Sequence, residues 1–483
     1  MPAFVCWLFI SFDFPGLFNP GHGSLEKKGD WLNRGAVNFT WLMLQRDKVV
    51  RKSIHLLMGV AILLLSCYVS RQTLLILIAA GTVFAFASFQ SRKFRFLHQT
   101  TDQSLGTLFY PLGVLTSFLL LYNLPLYYFQ ISLMTLTLSD TIAYLAGQIR
   151  PGNIRFNTFK EEKSLYGVLG FAGSTLGILY FFLPESRFGI HAYVILVVIL
   201  AVNFEVISYK GSDNFSIPVG SALFFLIMEA HDSNLPLLIG VLGFAAIGSF
   251  FLYQWKVLTK NAAIAVYFLG VYFIGVLGLA WIVPVLVFFF TSVMLTRINT
   301  ALGKKNPAAN RRNAWQVLAN IFWAVLFSAA YLINGNVLFV YFFIALVAAV
   351  TADTWSSEVG PVFHKNCFSL AHFKTRKAGI SGGVSFAGTL AAVLASAVLS
   401  MLGVKLFFEE SNTMLIAVLA LSAFLSSVVD SLLGAFLEPT LMKVKIFRLR
   451  KAGARDYLSP NDVINLLGSF SAPIFFLLLR GLL

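Results

Sequence analysis

Charged residues and cysteines are scarce in this chain of 483 residues. Only 12% of the residues are charged and 58% are hydrophobic, whereas a soluble domain has about 25% charged residues. Three widely spaced cysteines and 7 scattered histidines without an HxxxH pair provide neither a disulfide framework nor a structural zinc site. This composition excludes a soluble enzyme, a coiled coil and a disordered chain. We therefore predict an all-α, polytopic integral membrane protein.

Apolar runs between charged breaks define the predicted helices. A spanning helix needs about 20 mostly apolar residues, and about 15 such runs are present. They cover residues 54–70, 73–90, 106–122, 125–147, 165–183, 190–207, 215–230, 235–255, 262–279, 281–296, 314–332, 336–354, 381–403, 413–437 and 462–482. The expected architecture is therefore about 15 transmembrane helices.

Basic residues are distributed unevenly between the loops. Nearly all of the 36 basic residues fall on one side of the predicted helices, and the other side holds only Arg71, Arg187 and Lys405, with Arg480 near the C-terminal end. The positive-inside rule makes the basic side cytoplasmic. Membrane topology thus accounts for the net charge of +15, and no nucleic-acid partner is expected.

Residues 1–45 do not fit this pattern. Phe4–Phe18 is aromatic and apolar, but Asp13 and Pro15 interrupt it, and it is too short to span a membrane. No basic stretch precedes it, as a signal peptide would require. An interfacial segment and an upstream, misassigned start codon are both open interpretations.

Five acidic residues lie inside apolar runs or at their cytoplasmic ends. They are Asp140, Glu205, Asp353, Glu358 and Asp430. A carboxylate in hydrocarbon is costly and usually functional. The alternative is a helix-end residue solvated among the lipid headgroups, but all five share one face and lie near Gly, Ser or Thr. We therefore predict that these acids mark functional sites.

The surroundings of Asp140 are suited to a nucleotide. Asp140 shares one helix stripe with the small residues of the following two turns, up to Gly147, because positions i, i+3 and i+7 lie on one face. The next span opens with Lys163, Ser164 and Gly167. A cation, a hydroxyl and a glycine at a helix start can present charge and backbone N–H groups to a phosphate. The acid one helix earlier could bind the accompanying Mg²⁺.

The second half repeats this layout. Asp353, Ser356 and Gly360 have the same i, i+3, i+7 spacing, and after a basic loop the stretch Gly379–Ser385 opens the next span. Chance similarity between Gly- and Ala-rich membrane helices is one explanation. The other is that the chain consists of two related modules, each with its own site.

The first half resembles the CTP-dependent polyprenol kinase family, which includes phytol kinase and dolichol kinase and is related to phosphatidate cytidylyltransferase. The resemblance spans roughly residues 46–230, and its last block favours the phytol kinase branch. It rests on five motifs in order: Arg51–Gly59, Gly106–Gly113, Asp140–Gly147, Lys163–Gly167 and Glu205–Pro218.

The second half resembles a different membrane family, to which plant phytyl-phosphate kinase belongs. The resemblance spans roughly residues 235–483. It rests on Arg312–Asn320, Asp353–Gly360, Gly379–Thr389, Asp430–Ala435 and Asn461–Asn465. One step departs from the family pattern, because a Val-Pro-Gly-Thr sequence is replaced here by Ala-Gly-Ile after Lys377. Either Ser381 replaces the missing threonine hydroxyl or the nucleotide preference differs.

These resemblances imply three segments and two successive reactions. Residues 1–45 precede a polyprenol kinase-like module at 46–232 and a phytyl-phosphate kinase-like module at 233–483. The first module would phosphorylate a prenyl alcohol of the phytol, geranylgeraniol or farnesol type with CTP. The second would convert the prenyl monophosphate into the diphosphate, with CTP or another nucleoside triphosphate. Mg²⁺ is the expected cofactor, the alcohol would enter from the bilayer, and both sites would face the cytoplasm.

The resemblance also assigns roles to individual residues. In the first module, Asp140 would bind Mg²⁺ or act as the general base. The phosphate cradle would be Lys163, Ser164 and Gly167, with Asp213 and Asn214 assisting metal or nucleotide, and with Arg51, Lys52 and His55 at the entrance. In the second module, the metal ligands would be Asp353, Glu358 and Asp430. The nucleotide phosphates would approach Gly382, Gly383 and Ser385, with polar contacts from Arg312, Gln316, Asn320 and Asn465.

Several alternatives stay open. The sequence does not decide which acid is base and which is ligand, or whether the basic stretch Lys374–Lys377 serves catalysis or topology. A related enzyme, a cytidylyltransferase acting on a lipid phosphate, would release pyrophosphate instead of CDP. A secondary transporter also has duplicated halves and membrane acids, but its acids are expected near the bilayer midplane. Here the acids lie toward one membrane face.

Overall fold

The computed structural model describes residues 31–90, 106–149, 153–158, 161–184, 190–207, 211–230, 234–303, 311–363, 366–369, 374–377, 382–409, 412–442 and 458–483. Predictions for residues 1–30 and for Ser381 lie outside these ranges, as does the side chain of Arg51. The chain divides into two compact units, Met1–Ile239 and Gly240–Leu483. The division falls inside one long helix.

The first unit consists of helices and one hairpin. In chain order its elements are α1 (Trp31–Tyr68), α2 (Arg71–Gln90), α3 (Gly106–Leu120), α4 (Leu126–Met134), α5 (Asp140–Gly147), β1 (Arg155–Thr158), β2 (Glu161–Ser164), α6 (Leu165–Phe182), α7 (Ile190–Ile207) and α8 (Asp213–Ala230). A π-helical turn, Thr135–Ser139, joins α4 to α5 and ends immediately before Asp140. Single π-helical turns inside helices are frequent at functional sites.

The second unit has the same kinds of elements. They are α9 (Leu235–Gln254), which contains the division, α10 (Lys260–Gly270), α11 (Leu279–Ala301), α12 (Ala314–Asn334), α13 (Leu338–Phe363), β3 (Asn366–Ser369), β4 (Lys374–Lys377), β5 (Gly383–Val384), α14 (Phe386–Phe407), α15 (Thr413–Leu441), α16 (Pro460–Ser469) and α17 (Ser471–Leu479). A π-helical segment, Val271–Leu277, extends α10, and a short 3₁₀ turn, Arg480–Leu482, follows α17. The strand order is β4-β3-β5, with antiparallel pairs.

The helical membrane fold is confirmed. Ten helices in the described part of the chain are long and apolar enough to cross a membrane, and Lys52–Tyr68, Gly106–Leu120 and Val194–Val206 are shorter apolar helices. With continuous pieces counted together, the described residues form 15 helices, in agreement with the predicted number. The limits of the two predicted functional modules remain a prediction.

Some predicted helix ends differ from the observed ones. The span predicted to end at residue 354 continues to Phe363 in α13, so Asp353 and Glu358 lie within a helix. The apolar-run criterion stops at charged residues, but the helical backbone continues through them. The span predicted to begin at 381 begins at Phe386 instead. The cause is Gly382, whose φ of 78° favours glycine and is incompatible with a right-handed helix, followed by the strand β5.

A helix–sheet–helix arrangement occurs once in each unit. In the first, α5 leads into the β1–β2 hairpin and then into α6, against which α5 packs. In the second, α13 leads through the three-stranded sheet into α14, and these two helices pack extensively. The final strand ends immediately before the helix in the first unit and one residue before it in the second. The acids Asp140 and Asp353 belong to the first helix of each arrangement.

Candidate functional site

Three carboxylates converge in the first unit. Asp140 opens α5, Glu205 lies near the end of α7, and Asp213 opens α8. One oxygen from each carboxylate lies within 4.8 Å of the others, and Asp140 and Glu205 are buried. Within the described residues, this is the one group of three such ligands close enough to share a metal ion. Mg²⁺ is bound by carboxylate oxygens together with water and phosphate, so the donor set fits this ion.

Two lysines neutralise part of this charge. The Lys52 ammonium on α1 forms an ion pair with Asp140 Oδ2. The Lys163 Nζ at the end of β2 donates a hydrogen bond to Glu205 Oε1 at 2.7 Å. The side chains of the two lysines are only 13% and 14% exposed. The buried carboxylates need these cationic partners, because a buried charge without a partner is strongly unfavourable.

The hairpin and the start of α6 determine where Lys163 lies. Ser164 follows Lys163 as the N-cap of α6, and its Oγ accepts a hydrogen bond from the Gly167 N–H at 3.1 Å. A Cβ on Gly167 would lie 3.0 Å from the Ala143 carbonyl oxygen and 2.9 Å from Ser164 Oγ. The serine and glycine predicted to cradle phosphate are therefore engaged in capping and in close contact between α5 and α6.

Asn153 was not identified from the sequence. Its Nδ2 donates to the Ile149 carbonyl at 2.8 Å, and its Oδ1 accepts from the Tyr166 N–H at 3.1 Å. This amide therefore joins the end of α5, the helix that opens with Asp140, to the start of α6, which follows the strand that carries Lys163. The only available signal was the Pro-Gly-Asn sequence before it, which is typical of turns.

The predicted entrance residues occupy different places. Lys52 belongs to the carboxylate cluster. His55 is buried, its ring stacks on Tyr110 at a centroid distance of 4.6 Å, and its carbonyl accepts a hydrogen bond from the Tyr110 hydroxyl at 3.0 Å. His55 is thus buried and packed against Tyr110 of α3, and its place at the entrance stays a prediction.

Asn214 is buried at the junction of α3 and α8. Its Nδ2 donates to the Gly106 carbonyl at 3.3 Å, and its backbone N–H donates to Asp213 Oδ1 at 3.0 Å. Gly113 on α3 comes so close that a Cβ there would lie 2.4 Å from the Asn214 carbonyl oxygen. This tight contact fixes the first turn of α8, and with it Asp213, relative to α3.

The second unit contains a small polar pocket. Asp353 on α13 and Asp430 on α15 both line this pocket. The polar lining also includes Asn320, Asn465 and three serines, Ser426, Ser427 and Ser469. Asn465 Nδ2 donates to Asn320 Oδ1 at 3.1 Å. Two carboxyl groups that line one pocket with amides and hydroxyls are donors that suit a cation, so this pocket is the second candidate site.

Glu358 lies outside that pocket. Its Oε1 accepts a hydrogen bond from Thr296 Oγ1 at 2.8 Å, and Asn299 Nδ2 donates to its Oε2 at 2.5 Å. Asp353 and Glu358 are five residues apart, which places them about 140° apart around a helix. The expected grouping of Glu358 with Asp353 and Asp430 is therefore not what the structure shows.

Arg312 and Gln316 also lie away from the pocket. The Arg312 backbone bonds to the segment before α10, and its guanidinium lies 5.9 Å from the centre of the Phe289 ring. Burial lowers the pKa of Arg312, and the charge of Glu358 opposes that shift. Gln316 forms a capping box with Asn313 at the start of α12. Gln316 thus belongs to the cap of α12, and the Arg312 backbone connects the start of α12 to the segment before α10.

The remaining predicted phosphate residues are packing and capping residues. A Cβ on Gly382 would lie 2.4 Å from Ala435 Cβ, and Gly383 pairs with Ser369 in the sheet. Ser385 caps α14 by accepting a hydrogen bond from the Gly388 N–H at 3.2 Å.

The capping contact of the second unit matches that of the first. A Cβ on Gly388 would lie 3.0 Å from the Ser356 carbonyl oxygen. In the first unit, a Cβ on Gly167 would lie at the same distance from the Ala143 carbonyl oxygen. In both units a serine caps the second helix, and the glycine three residues later contacts the helix that bears the aspartate. The predicted repeat thus corresponds to a repeated local geometry.

Comparisons with known proteins place the chain among membrane proteins. Residues 243–472 match the family described as integral membrane protein DUF92. An uncharacterized membrane protein of Methanocaldococcus jannaschii is 27% identical over 162 residues, which cover 33% of this chain and 66% of that protein. An uncharacterized membrane protein of Synechocystis sp. is 28% identical over 177 residues, which cover 35% and 68% respectively. No solved structure matches the chain.

A third relative has a named activity. It is a phytol kinase of Synechocystis sp., which is 30% identical over 210 residues; these cover 42% of this chain and 85% of that protein. Since so much of the relative is covered at this identity, the chain belongs to the phytol kinase family.

Proposed function

We propose that the first unit transfers a phosphoryl group from CTP to the hydroxyl of a prenyl alcohol of the phytol, geranylgeraniol or farnesol type. The observation that carries this proposal is the convergence of Asp140, Glu205 and Asp213 with Lys52 and Lys163. Phosphoryl transfer requires mainly positioning of the reactants and neutralisation of charge, and carboxylates with lysines provide both. The choice of CTP rests on the motif resemblance.

The three carboxylates are the proposed Mg²⁺ ligands. When bound, the ion neutralises charge on the nucleotide phosphates. The alcohol oxygen attacks the γ-phosphorus while the bond to the CDP oxygen breaks, and a carboxylate of the cluster accepts the hydroxyl proton. Lys52 and Lys163 are close enough to the cluster to donate to phosphate oxygens. The insoluble prenyl tail would lie among the apolar helices, with the reacting hydroxyl at the cytoplasmic face.

A second activity is favoured by the repeated geometry. We propose that the pocket of Asp353 and Asp430 converts the prenyl monophosphate into the diphosphate, with Mg²⁺ and a nucleoside triphosphate. The support is the matching pair of caps, Ser164 and Ser385, each beside a helix that bears the acid. Two such sites in one chain would raise the effective concentration of the intermediate at the second site.

The test separates the two activities. Membranes that contain the protein are given radiolabelled CTP with phytol, farnesol or geranylgeraniol, and lipid products are resolved by thin-layer chromatography. Asp140→Asn should abolish monophosphate formation but leave the conversion of added monophosphate intact. Asp353→Asn should do the reverse, so that monophosphate accumulates. Loss of both steps in either variant, at normal protein level, would contradict independent sites.

The same assay distinguishes the rival functions. A kinase releases CDP, whereas a cytidylyltransferase releases pyrophosphate and leaves a CDP-lipid, so the identity of the nucleotide product decides between them. A transporter predicts substrate uptake into proteoliposomes without nucleotide. Transfer of the label from γ-labelled CTP to the prenyl alcohol supports the kinase.

A further inference from the structure

Two lysines of the first unit form ion pairs with carboxylates that are proposed to bind the metal ion. Lys52 pairs with Asp140, and Lys163 pairs with Glu205. The two lysines come from separate elements, the helix α1 and the strand β2. Each ammonium is largely buried, and its partner carboxylate is at most 10% exposed. The arrangement is therefore a compact set of alternating charges.

The charge balance explains why both lysines are present. Among the residues that the structure describes, the cluster brings three carboxylates together with two ammonium groups. Loss of one partner from a buried ion pair leaves an uncompensated charge and is strongly destabilising. The lysines thus allow the carboxylates to stay together before any metal is bound.

A divalent cation that binds a carboxylate weakens the hold of an ammonium group on the same carboxylate, because the two cations repel each other. Like charges at about 4 Å repel strongly where the effective dielectric constant is low. An ion that binds between Asp140, Glu205 and Asp213 therefore competes with the lysines. A lysine has a flexible stem and three donors, so it can leave one anionic partner for another nearby.

We propose that Lys52 and Lys163 act as exchange cations. They hold Asp140 and Glu205 until the metal–nucleotide complex enters, then release the carboxylates to the metal and donate to the phosphates instead. This inference rests on the metal site assigned under the proposed function. This exchange makes metal and nucleotide binding cooperative. The metal alone would leave the two lysines without anionic partners, and the nucleotide alone would leave the two carboxylates without a cation.

The test measures metal binding without catalysis. Purified full-length protein in detergent is titrated with Mn²⁺, and free Mn²⁺ is followed by electron paramagnetic resonance, first without and then with CTP. The variants are Lys52→Gln and Lys163→Gln, which remove different ion pairs and so provide two independent tests. The matched control is Arg155→Gln, which removes an exposed ion pair with Glu162 on the same hairpin. Asp140→Asn identifies binding at the proposed site.

Without CTP, each lysine variant should bind Mn²⁺ more tightly than wild type, by roughly 5- to 150-fold, the usual range for coupled binding events. With Mn²⁺ saturating, both should bind CTP more weakly, and Arg155→Gln should behave as wild type. Unchanged or weaker Mn²⁺ binding in the lysine variants, while Asp140→Asn abolishes it, would overturn the exchange but keep the metal site. Binding that does not depend on Asp140 would overturn the metal site itself.

Discussion

A single added methyl group at Gly113 should inactivate the first unit. Gly113 on α3 faces the first turn of α8, which carries Asp213. A Cβ there would lie 2.4 Å from the Asn214 carbonyl oxygen and 2.9 Å from Phe215 Cα, both backbone atoms that cannot rotate away. Gly113→Ala must therefore move α3 and α8 apart.

The size of the effect follows from these distances. Ordinary van der Waals contact begins at 3.4 Å, so the backbone around Asp213 must shift by about 1 Å, and a misplacement of that size can reduce a rate about 100-fold. Overpacking of this kind costs about 1–3 kcal/mol in the free energy of unfolding. We therefore expect Gly113→Ala to lower kcat for the proposed phosphorylation of a prenyl alcohol about 100-fold.

Gly81→Ala is the matched control for this prediction. Gly81 is a helical glycine of the same unit, and nothing lies within 4 Å of the position that an added methyl group would take. The same change should therefore leave activity within about twofold of wild type and slightly favour the helix. Protein level and thermal unfolding in detergent verify that both variants fold. Gly113→Ala with near-normal activity, at normal protein level, would refute the assignment of Asp213 to the site.

Two further predictions concern the second pocket and the helix cap. Gly468→Ala should abolish the proposed second phosphorylation and spare the first, because its Cβ would lie 2.3 Å from Asp430 Oδ2 and 3.0 Å from Asp430 Cα. The product assay measures both steps. Gly243→Ala is the control, because no atom lies within 4 Å of the Cβ that it would add. Ser164→Ala should lower the free energy of unfolding by about 1 kcal/mol through loss of the N-cap. Ser164→Asp should restore that stability in thermal denaturation, and the opposite order would contradict the capping role.

The sequence was most informative about helices and individual acids. Apolar runs predicted the 15 helices because the bilayer requires a minimum length of apolar residues. Asp140 and Asp353 were identified because a carboxylate among apolar residues is conspicuous. The ends of the helices were less predictable. For example, α13 continues past Asp353 to Phe363, although its apolar run stops earlier.

The sequence motifs predicted roles by residue type, and the structure shows the contacts that those residues make. Ser164 and Gly167 fit a phosphate cradle by residue type, yet their observed contacts are a helix cap and a close interhelical approach. Glu358 fits a metal site by type, but the rotation of α13 turns it toward Thr296 and Asn299. Residue type alone does not distinguish these roles, because capping, packing and ligand binding use the same small and polar residues.

The sequence by itself determined that this chain is an all-α membrane protein, since hydropathy and charge distribution act along the chain and can be read from it. Only the tertiary structure decided that Asp140, Glu205 and Asp213 meet with Lys52 and Lys163, while Glu358 stands apart. These partners are separated by up to 161 residues, from Lys52 to Asp213. The packing of α1, α5, α7 and α8 brings them together, and that packing depends on close contacts that no local pattern encodes.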